Sequence, residues 1–230
     1  MKVLENEKII GIDTFFTPFE GTGGKLRLVP EDFIVKEVSN YPPEKENGKF
    51  TIADVTVTNW ETNLLVRDIS NWLHISRQRI GFAGTKDKRA KTTRLMSFYK
   101  IPIDELSNIK IKNVSIENIY RSDRPVKVGN LVGNKFDIIV RRIAKDSKAE
   151  NLQNVISFIN QNDGFPNFYG VQRFGIIRPI THVVGKNIVN GDFEKAVMSY
   201  IANPIKGEDE KSYKHAVCSF GIHSQHGRIN

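Results

Sequence analysis

The sequence predicts an α+β fold, and three features of its residue pattern carry that prediction. Residues 25–38 and 50–58 alternate apolar and polar side chains, as half-buried strands do. Residues 61–74 instead repeat leucine, isoleucine and tryptophan at helical spacing. Further along, Ser147 and Glu150 form the capping box that opens many helices. Strands and helices are therefore both expected in this chain of 230 residues, which suits one large domain or two small ones.

The first half of the chain is predicted to contain two strands, a helix and a basic loop. Pro30 predicts that the first strand lies at a sheet edge or contains a bulge, because proline has no amide hydrogen to donate. Asn59 is a candidate N-cap for the helix. Gly81 and Gly84 bound a connection, and residues 92–99 favour β-structure. The basic segment is therefore predicted to be a loop between short strands.

The second half is predicted to add two strands, three helices and an ordered loop. Gly133 and Asn134 predict a turn before the second of these strands, and Gly191 separates the last two helices. Residues 164–175, GFPNFYGVQRFG, have neither helical nor strand periodicity, which predicts a loop with Phe174 buried. The predicted strands are residues 111–120 and 135–142, and the helices are one opened by the capping box, then residues 182–190 and 193–202.

Charge points to a polyanionic partner. The net charge is +8 and the isoelectric point is near 9.5. Between Arg77 and Lys100 the chain has eight cations and one carboxylate, that of Asp87, so this segment is either an arranged site or a solvated cationic face. No apolar stretch approaches the roughly 20 residues of a membrane span. With no signal-peptide pattern and a single cysteine, Cys218, we expect a cytoplasmic protein.

Asp87 is the candidate catalytic carboxylate. Lys86, Lys88 and Arg89 flank it, and nearby cations favour the charged form of an acid, which suits a nucleophile or base. A surface ion pair is the competing interpretation. The preceding Gly-x-x-Gly is not a Walker loop, which needs four residues between its glycines. It also occurs in the clamp of KH domains on single-stranded RNA, so binding without catalysis stays open.

A second candidate site is the aromatic loop of residues 164–175. Phe165, Phe168 and Tyr169 offer stacking faces, and amide and guanidinium donors accompany them, as recognition of an unstacked base requires. Packing is the competing explanation for at least one aromatic. The donors in question are Asn167, Gln172 and Arg173.

No metal site is predicted. The tail after Lys206 contains Cys218 and three of the five histidines, but their spacing matches no strong zinc pattern. This tail differs in character from the rest of the chain.

Five ordered blocks resemble the TruD family of pseudouridine synthases. Residues 81–90, GFAGTKDKRA, are similar to the family's catalytic motif, and residues 30–37, PEDFIVKE, resemble its N-terminal motif. Residues 167–175, NFYGVQRFG, resemble its block of two aromatics followed by glycine, glutamine, arginine and phenylalanine. The remaining blocks are Gly133-Asn134-x-Phe136 and residues 182–185, HVVG, leading to Gly191-Asp192. Together the blocks lie between about residue 25 and residue 204.

The resemblance implies a pseudouridine-synthase-like catalytic domain built on a mixed, mainly antiparallel sheet flanked by helices. Asp87 would attack the target uridine during cleavage of its C1′–N glycosidic bond, and the freed uracil would turn and rejoin through C5. To be reached, the target uridine must leave its stack. In the family this uridine usually lies at tRNA position 13. The resemblance implies no cofactor or metal. The residues implied in substrate or RNA binding are Phe33, Lys86, Arg89, Asn167, Tyr169, Gln172 and Arg173.

Members of that family are longer than this chain. The resemblance therefore implies an incomplete catalytic domain over residues 1–205 and a divergent tail over residues 206–230. If a large apolar face is left uncovered, aggregation or low thermal stability is expected. An inactive RNA-binding module or a truncated remnant of the family is the alternative, and a basic protein unrelated to RNA is a third interpretation.

Overall fold

The structure is a computed structural model, and it describes residues 3–21, 23–143, 149–176 and 178–202. It divides into two compact units. The sheet unit, Thr22–Ser147, contains every strand named below, and the helical unit combines Met1–Gly21 with Lys148–Asn230. Among the described helices, none is long and apolar enough to cross a membrane.

The strands and helices follow one another irregularly along the chain. The strands are β1 (Phe33–Ser39), β2 (Phe50–Thr58), β3 (Ile80–Phe82), β4 (Lys91–Tyr99), β5 (Val114–Ser122) and β6 (Leu131–Ile138). The α-helices are α1 (Glu5–Ile9), α2 (Thr62–Trp72), α3 (Ile103–Ser107), α4 (Ala149–Gln161), α5 (Val171–Phe174), α6 (Thr181–Val189) and α7 (Phe193–Ile201). Short 3-10 turns occur at Pro30–Asp32 and Arg77–Arg79.

The six strands form one mixed sheet in the order β5-β2-β4-β1-β6, with β3 also paired to β4. The β1–β4 pair is parallel and the other pairs are antiparallel. On one side, β4 pairs with β2 along its whole length. On the other side it pairs with β1 at its start and with β3 near its end. The prediction of an α+β fold with a mixed, mainly antiparallel sheet is confirmed.

The core lies between this sheet and α2. Leu65 and Ile69 of α2 are fully buried against side chains of β2 and β4, including Val55, Met96 and Phe98. Burial of a side chain of this size contributes roughly 1.5–3 kcal/mol to stability. The apolar residues of α2 recur at helical spacing because they lie on the face that meets the sheet, as the sequence suggests.

The prediction for residues 25–32 was wrong. Pro30 is the first residue of a 3-10 turn, where its fixed φ and missing amide hydrogen are tolerated. The strand begins only at Phe33 and lies between β4 and β6, so it is not an edge strand. Its pairing with β6 does contain an irregularity, but this lies between Val38 and Ser39, away from Pro30. Asn59 does not cap α2. It has a φ of +61°, and the N-cap is Glu61, whose side chain accepts the Leu64 amide at 2.9 Å.

The second half shows three further differences. Gly133 and Asn134 lie inside β6, which starts four residues earlier than predicted, because they continue the ladder opposite Val38 and Glu37. The predicted loop of residues 164–175 contains the short helix α5. Phe174 is half-buried, meeting His182 edge to face. Ser147 of the capping box and residues 206–230 lie outside the described residues.

Candidate active site

The loop of residues 83–90 carries Asp87 from β3 back to the start of β4. Phe82 pairs with Met96, whereas the chain re-enters the sheet at Lys91. The loop must therefore return along five residues of β4, or about 16 Å. Over the first part of this stretch β4 pairs with β1, so the loop and β1 are neighbours.

The loop packs against the start of β1. Ala90 is buried in a small apolar cluster with Phe33 and Val35. Parallel pairing places Ile34 opposite Lys91, so β1 and β4 begin at the same edge of the sheet. The sheet topology thus brings together two motifs that are far apart in the sequence.

Asp87 is half open to solvent and is paired with Arg27. The Arg27 Nη2 donates to Asp87 Oδ1 at 3.0 Å, and 41% of the Asp87 side chain is exposed. The Arg27 guanidinium also stacks on Phe33, with 3.8 Å between its carbon and the ring centroid. Phe33 is 8% exposed and meets Phe136 edge to face. The carboxylate is therefore oriented by a cation that is itself held on a fixed ring.

The turn before Phe33 is fixed by Asp32, which is fully buried. Its carboxylate accepts the Val29 amide at 3.1 Å and Arg141 Nε at 2.7 Å. Burial alone would raise the pKa of Asp32, but the hydrogen bonds from Arg141 and from the Val29 and Leu28 amides outweigh burial and lower this pKa below its usual range.

The two predicted phosphate-binding cations in the loop are placed differently. Arg89 is exposed, and its Nη2 donates to the carbonyl oxygen of Leu28 at 2.9 Å, which ties the loop to the segment carrying Arg27. The Lys86 side chain is 4% exposed, and its ammonium lies 2.6 Å from Glu37 Oε2. Phosphate binding by Lys86 stays a prediction, and the position of this ammonium inside the protein does not favour it.

The remaining predicted residues belong to the helical unit. Asn167, Tyr169, Gln172 and Arg173 are all exposed, and 71% of Tyr169 is accessible. The Arg173 guanidinium carbon lies 5.5 Å from the centroid of the Tyr169 ring. This stretch therefore presents an aromatic face and several donors to solvent.

Arg27 is the site residue that the sequence prediction missed. It lies outside the basic segment of residues 77–100, and its alternation with Leu26 and Leu28 was interpreted as strand pattern. A signal was nonetheless present, because only two residues, Leu28 and Val29, separate Arg27 from the PEDF block. Among the described residues, no group of three His, Cys, Asp or Glu side chains is placed to hold a metal ion.

Comparison with known proteins decides the family. The family model described as tRNA pseudouridine synthase D (TruD) matches residues 9–219. The chain belongs to the TruD family. A probable tRNA pseudouridine synthase D from Methanococcoides burtonii is 47% identical over 206 residues, which are 89% of this chain and 47% of that protein. One from Archaeoglobus fulgidus is 39% identical over 208 residues, 90% of this chain and 49% of that protein.

A crystal structure assigned to TruD from Methanosarcina mazei has the same fold. It is 43% identical in sequence, superposes with a TM-score of 0.83, and covers 94% of this chain and 50% of its own. The chain thus spans about half the length of the TruD relatives it matches. The TruD match includes every predicted site residue, from Phe33 to Arg173, and continues past Lys206.

Proposed function

We propose that this chain isomerises uridine to pseudouridine in tRNA, with Asp87 as the nucleophile. The observation that carries the proposal is the placement of Asp87. Within a TruD-family fold, the carboxylate of the catalytic motif is exposed, is oriented by Arg27, and lies beside Phe33 of the N-terminal motif. A carboxylate that is accessible and held in one orientation suits attack on a sugar carbon.

The reaction needs one carboxylate, and it leaves the atomic composition of the substrate unchanged. Asp87 attacks C1′ as the bond from C1′ to N1 breaks, and the base leaves as the uracil anion with the bonding electron pair on N1. The uracil turns and forms a bond from C5 to C1′, which displaces the carboxylate. C5 then loses its proton and N1 gains one, so the product is an isomer of the substrate. Arg27 fixes the rotamer of Asp87 through the 3.0 Å hydrogen bond.

RNA recognition is assigned to exposed residues of the loop that carries Asp87 and to exposed residues among positions 167–173. Arg89 and Lys88 would contact phosphates, since both are exposed in the loop that carries Asp87. Tyr169 offers a stacking face to an unstacked base, and Asn167, Gln172 and Arg173 offer hydrogen-bond donors. Phe33 has one ring face covered by Arg27, so we assign it to the wall of the site. The family's usual target, uridine 13 of tRNA, is the substrate we propose.

Nucleoside analysis of a modified transcript tests this function. A tRNA transcript with uridine at position 13 is incubated with the chain, digested to nucleosides and separated by chromatography. Pseudouridine is expected from this transcript and not from one with cytidine at position 13. Pseudouridine formed equally in both would refute the proposed target. No pseudouridine in either, with a full-length family member active as control, would refute activity of this chain.

A further inference from the structure

A buried ion pair between Lys86 and Glu37 lies beside the Asp87 loop. The Lys86 Nζ is 2.6 Å from Glu37 Oε2, and the two side chains are 4% and 1% exposed. The other oxygen of Glu37 accepts hydrogen bonds from Ser39 Oγ at 2.7 Å and from the Leu95 amide at 3.4 Å. Glu37 therefore joins its own strand β1, the central strand β4 and the loop.

The backbone of Lys86 is held as well. Its amide donates to Thr62 Oγ1 at 3.3 Å, and the same oxygen accepts Nη1 of Arg94 at 2.8 Å. Arg94 is fully buried, and its Nη2 donates to Thr92 Oγ1 at 3.1 Å. Burial lowers the pKa of Arg94 to about 10, with the Glu37 carboxylate opposing the shift, so the guanidinium stays charged at neutral pH.

These buried charges need an explanation other than stability. Taking ions out of water is costly, and a buried ion pair often stabilises a fold no better than apolar groups of the same volume. What the pair does provide is a fixed geometry. Lys86 immediately precedes Asp87, and both the side chain and the amide of Lys86 are anchored to the sheet unit.

We propose that Glu37 is a positioning residue for Asp87, acting through Lys86 on the backbone of the loop. The proposal rests on the proposed function, in which Asp87 is the reacting group. Glu37 is buried, and its ion pair and hydrogen bonds join it to Lys86, Ser39 and the Leu95 amide rather than to Asp87. Through its ion pair with Lys86, Glu37 fixes the position of the loop backbone at Asp87. Arg27 orients the carboxylate of Asp87 itself. Displacing a reacting group by about 1 Å can cost ~100-fold in rate, so an anchor of this kind affects catalysis directly.

A positioning role and a merely structural role change different quantities. Loss of positioning lowers the rate of the chemical step on bound tRNA and leaves tRNA affinity unchanged. Loss of stability lowers the folded fraction, so that rate and binding capacity fall together. Loss of positioning also increases opening of one loop, whereas loss of stability increases opening of the whole sheet unit.

The test compares Glu37→Gln with Asp54→Asn. Each variant replaces a carboxylate by an amide of the same shape. Asp54 of β2 accepts hydrogen bonds from Tyr41 and Asn118 and contacts neither Lys86 nor the loop through them, so it is the matched control. Three quantities are measured on the full chain: amide hydrogen exchange, the single-turnover rate with a saturating tRNA transcript, and the Kd for that transcript.

For Glu37→Gln we expect a local effect. Exchange of amides 84–90 accelerates by ~10-fold or more beyond any acceleration of the amides of β2 and β4. The single-turnover rate falls by ~10–100-fold and the Kd stays within about two-fold. Asp54→Asn leaves the rate and the exchange of the loop unchanged.

A double-variant comparison tests whether the ion pair acts as one unit. Lys86→Met removes the other partner, and the double variant Glu37→Gln with Lys86→Met leaves no buried ammonium without its carboxylate. Since the two residues act through one contact, the double variant should lose no more rate than Lys86→Met alone. Rate losses that multiply would show that Glu37 does not act through Lys86.

Three outcomes would overturn the proposal. Unchanged exchange of amides 84–90 in Glu37→Gln would show that Glu37 does not hold the loop. Acceleration spread evenly over the sheet unit would show a structural role only, as would a rate loss matched by an equal loss of tRNA binding. If the wild-type chain forms no pseudouridine, the proposed function fails, and the exchange pattern alone then decides whether Glu37 fixes the loop.

Discussion

Asp87 takes its partner from a segment 60 residues earlier in the chain. Arg27 has a φ of +56°, in the left-handed region that costs a residue other than glycine about 1–2 kcal/mol. Two contacts of its guanidinium offset this cost, the hydrogen bond to Asp87 and the stack on Phe33. The contacts of the Arg27 side chain therefore fix the position of this residue. They hold its backbone in a locally unfavourable conformation.

Arg27→Met tests the role of this pairing. Methionine retains an apolar contact with Phe33 and removes the cation that orients Asp87. We expect the rate of pseudouridine formation to fall by ~10–100-fold, because a reacting group that is free to rotate loses its preorganised geometry. Arg27→Lys, the matched control, keeps the charge without the planar fork and should retain an intermediate rate. A wild-type rate for Arg27→Met in a tRNA assay would show that the pair is not used.

Sequence motifs identified the candidate carboxylate, Asp87, but not its environment. The motif around Asp87 and the PEDF block predicted two parts of the site, and the parallel β1–β4 pair places them together. The pattern did not distinguish a buried cation from an exposed one. Lys86 and Arg89 look alike in a basic run, yet one faces Glu37 and the other the surface. Their difference depends on partners distant in the sequence, Glu37 for Lys86 and the Leu28 carbonyl for Arg89, which no local pattern contains.

At the scale of elements, β1 organises the site. The 3-10 turn before it fixes Phe33, its middle residues pair with β4, and Glu37 reaches the loop. Asp32 anchors this turn with a pKa below its usual range. Such a group stabilises the fold at pH values above its unfolded-state pKa, and this contribution is lost as the pH falls through the lower folded-state pKa.

Asp32→Asn tests that anchor. The amide keeps the volume of the carboxylate and loses its charge, so the variant should unfold at a lower urea concentration than the wild type at neutral pH. The gap should narrow as the pH falls below about 4, where the unfolded-state carboxylate binds a proton, and close only below the lower folded-state pKa of Asp32. The measurement is the urea midpoint of both proteins at several pH values. A gap that widens towards acid pH would contradict a lowered pKa.

Strong apolar periodicity predicted the helices and strands well. Single proline and glycine residues predicted the ends of these elements poorly. β2 and α2 were predicted because their apolar pattern reflects one buried face. Pro30 suggested a sheet edge and instead starts a turn, and Gly133 lies within a strand despite its turn propensity. At Pro30 the local preference for the first position of a turn applies, and at Gly133 the tertiary ladder overrides the turn propensity, since Gly133 and Asn134 pair with Val38 and Glu37 of β1.

At the scale of the whole molecule, the apolar core is concentrated in the sheet unit. In the described part of the helical unit, the buried apolar residues are Val3, Pro179, Ala196 and Ala202. Large side chains there are exposed instead, including Phe168 at 82% and Val189 at 86%. Exposed apolar surface of this extent supports the expectation of aggregation or low thermal stability.

The two units should therefore unfold separately. We expect the helical unit to lose structure first on heating, because it buries fewer apolar residues, and we expect aggregation to follow that step. Amide hydrogen exchange during a thermal series measures this, with β2 and β4 protected to higher temperature than α6 and α7. A single sharp transition in which all four elements lose protection together, in a soluble monomer, would contradict it.

The proposed reaction requires Asp87 to act as the nucleophile of a pseudouridine synthase. Release of tritium from C5-labelled uridine in a tRNA transcript tests this most directly, because bond formation at C5 expels that hydrogen. We predict release by the wild-type chain and by Asp54→Asn, and none by Asp87→Ala with tRNA binding retained. Equal release by Asp87→Ala and the wild type would contradict the assignment of the nucleophile.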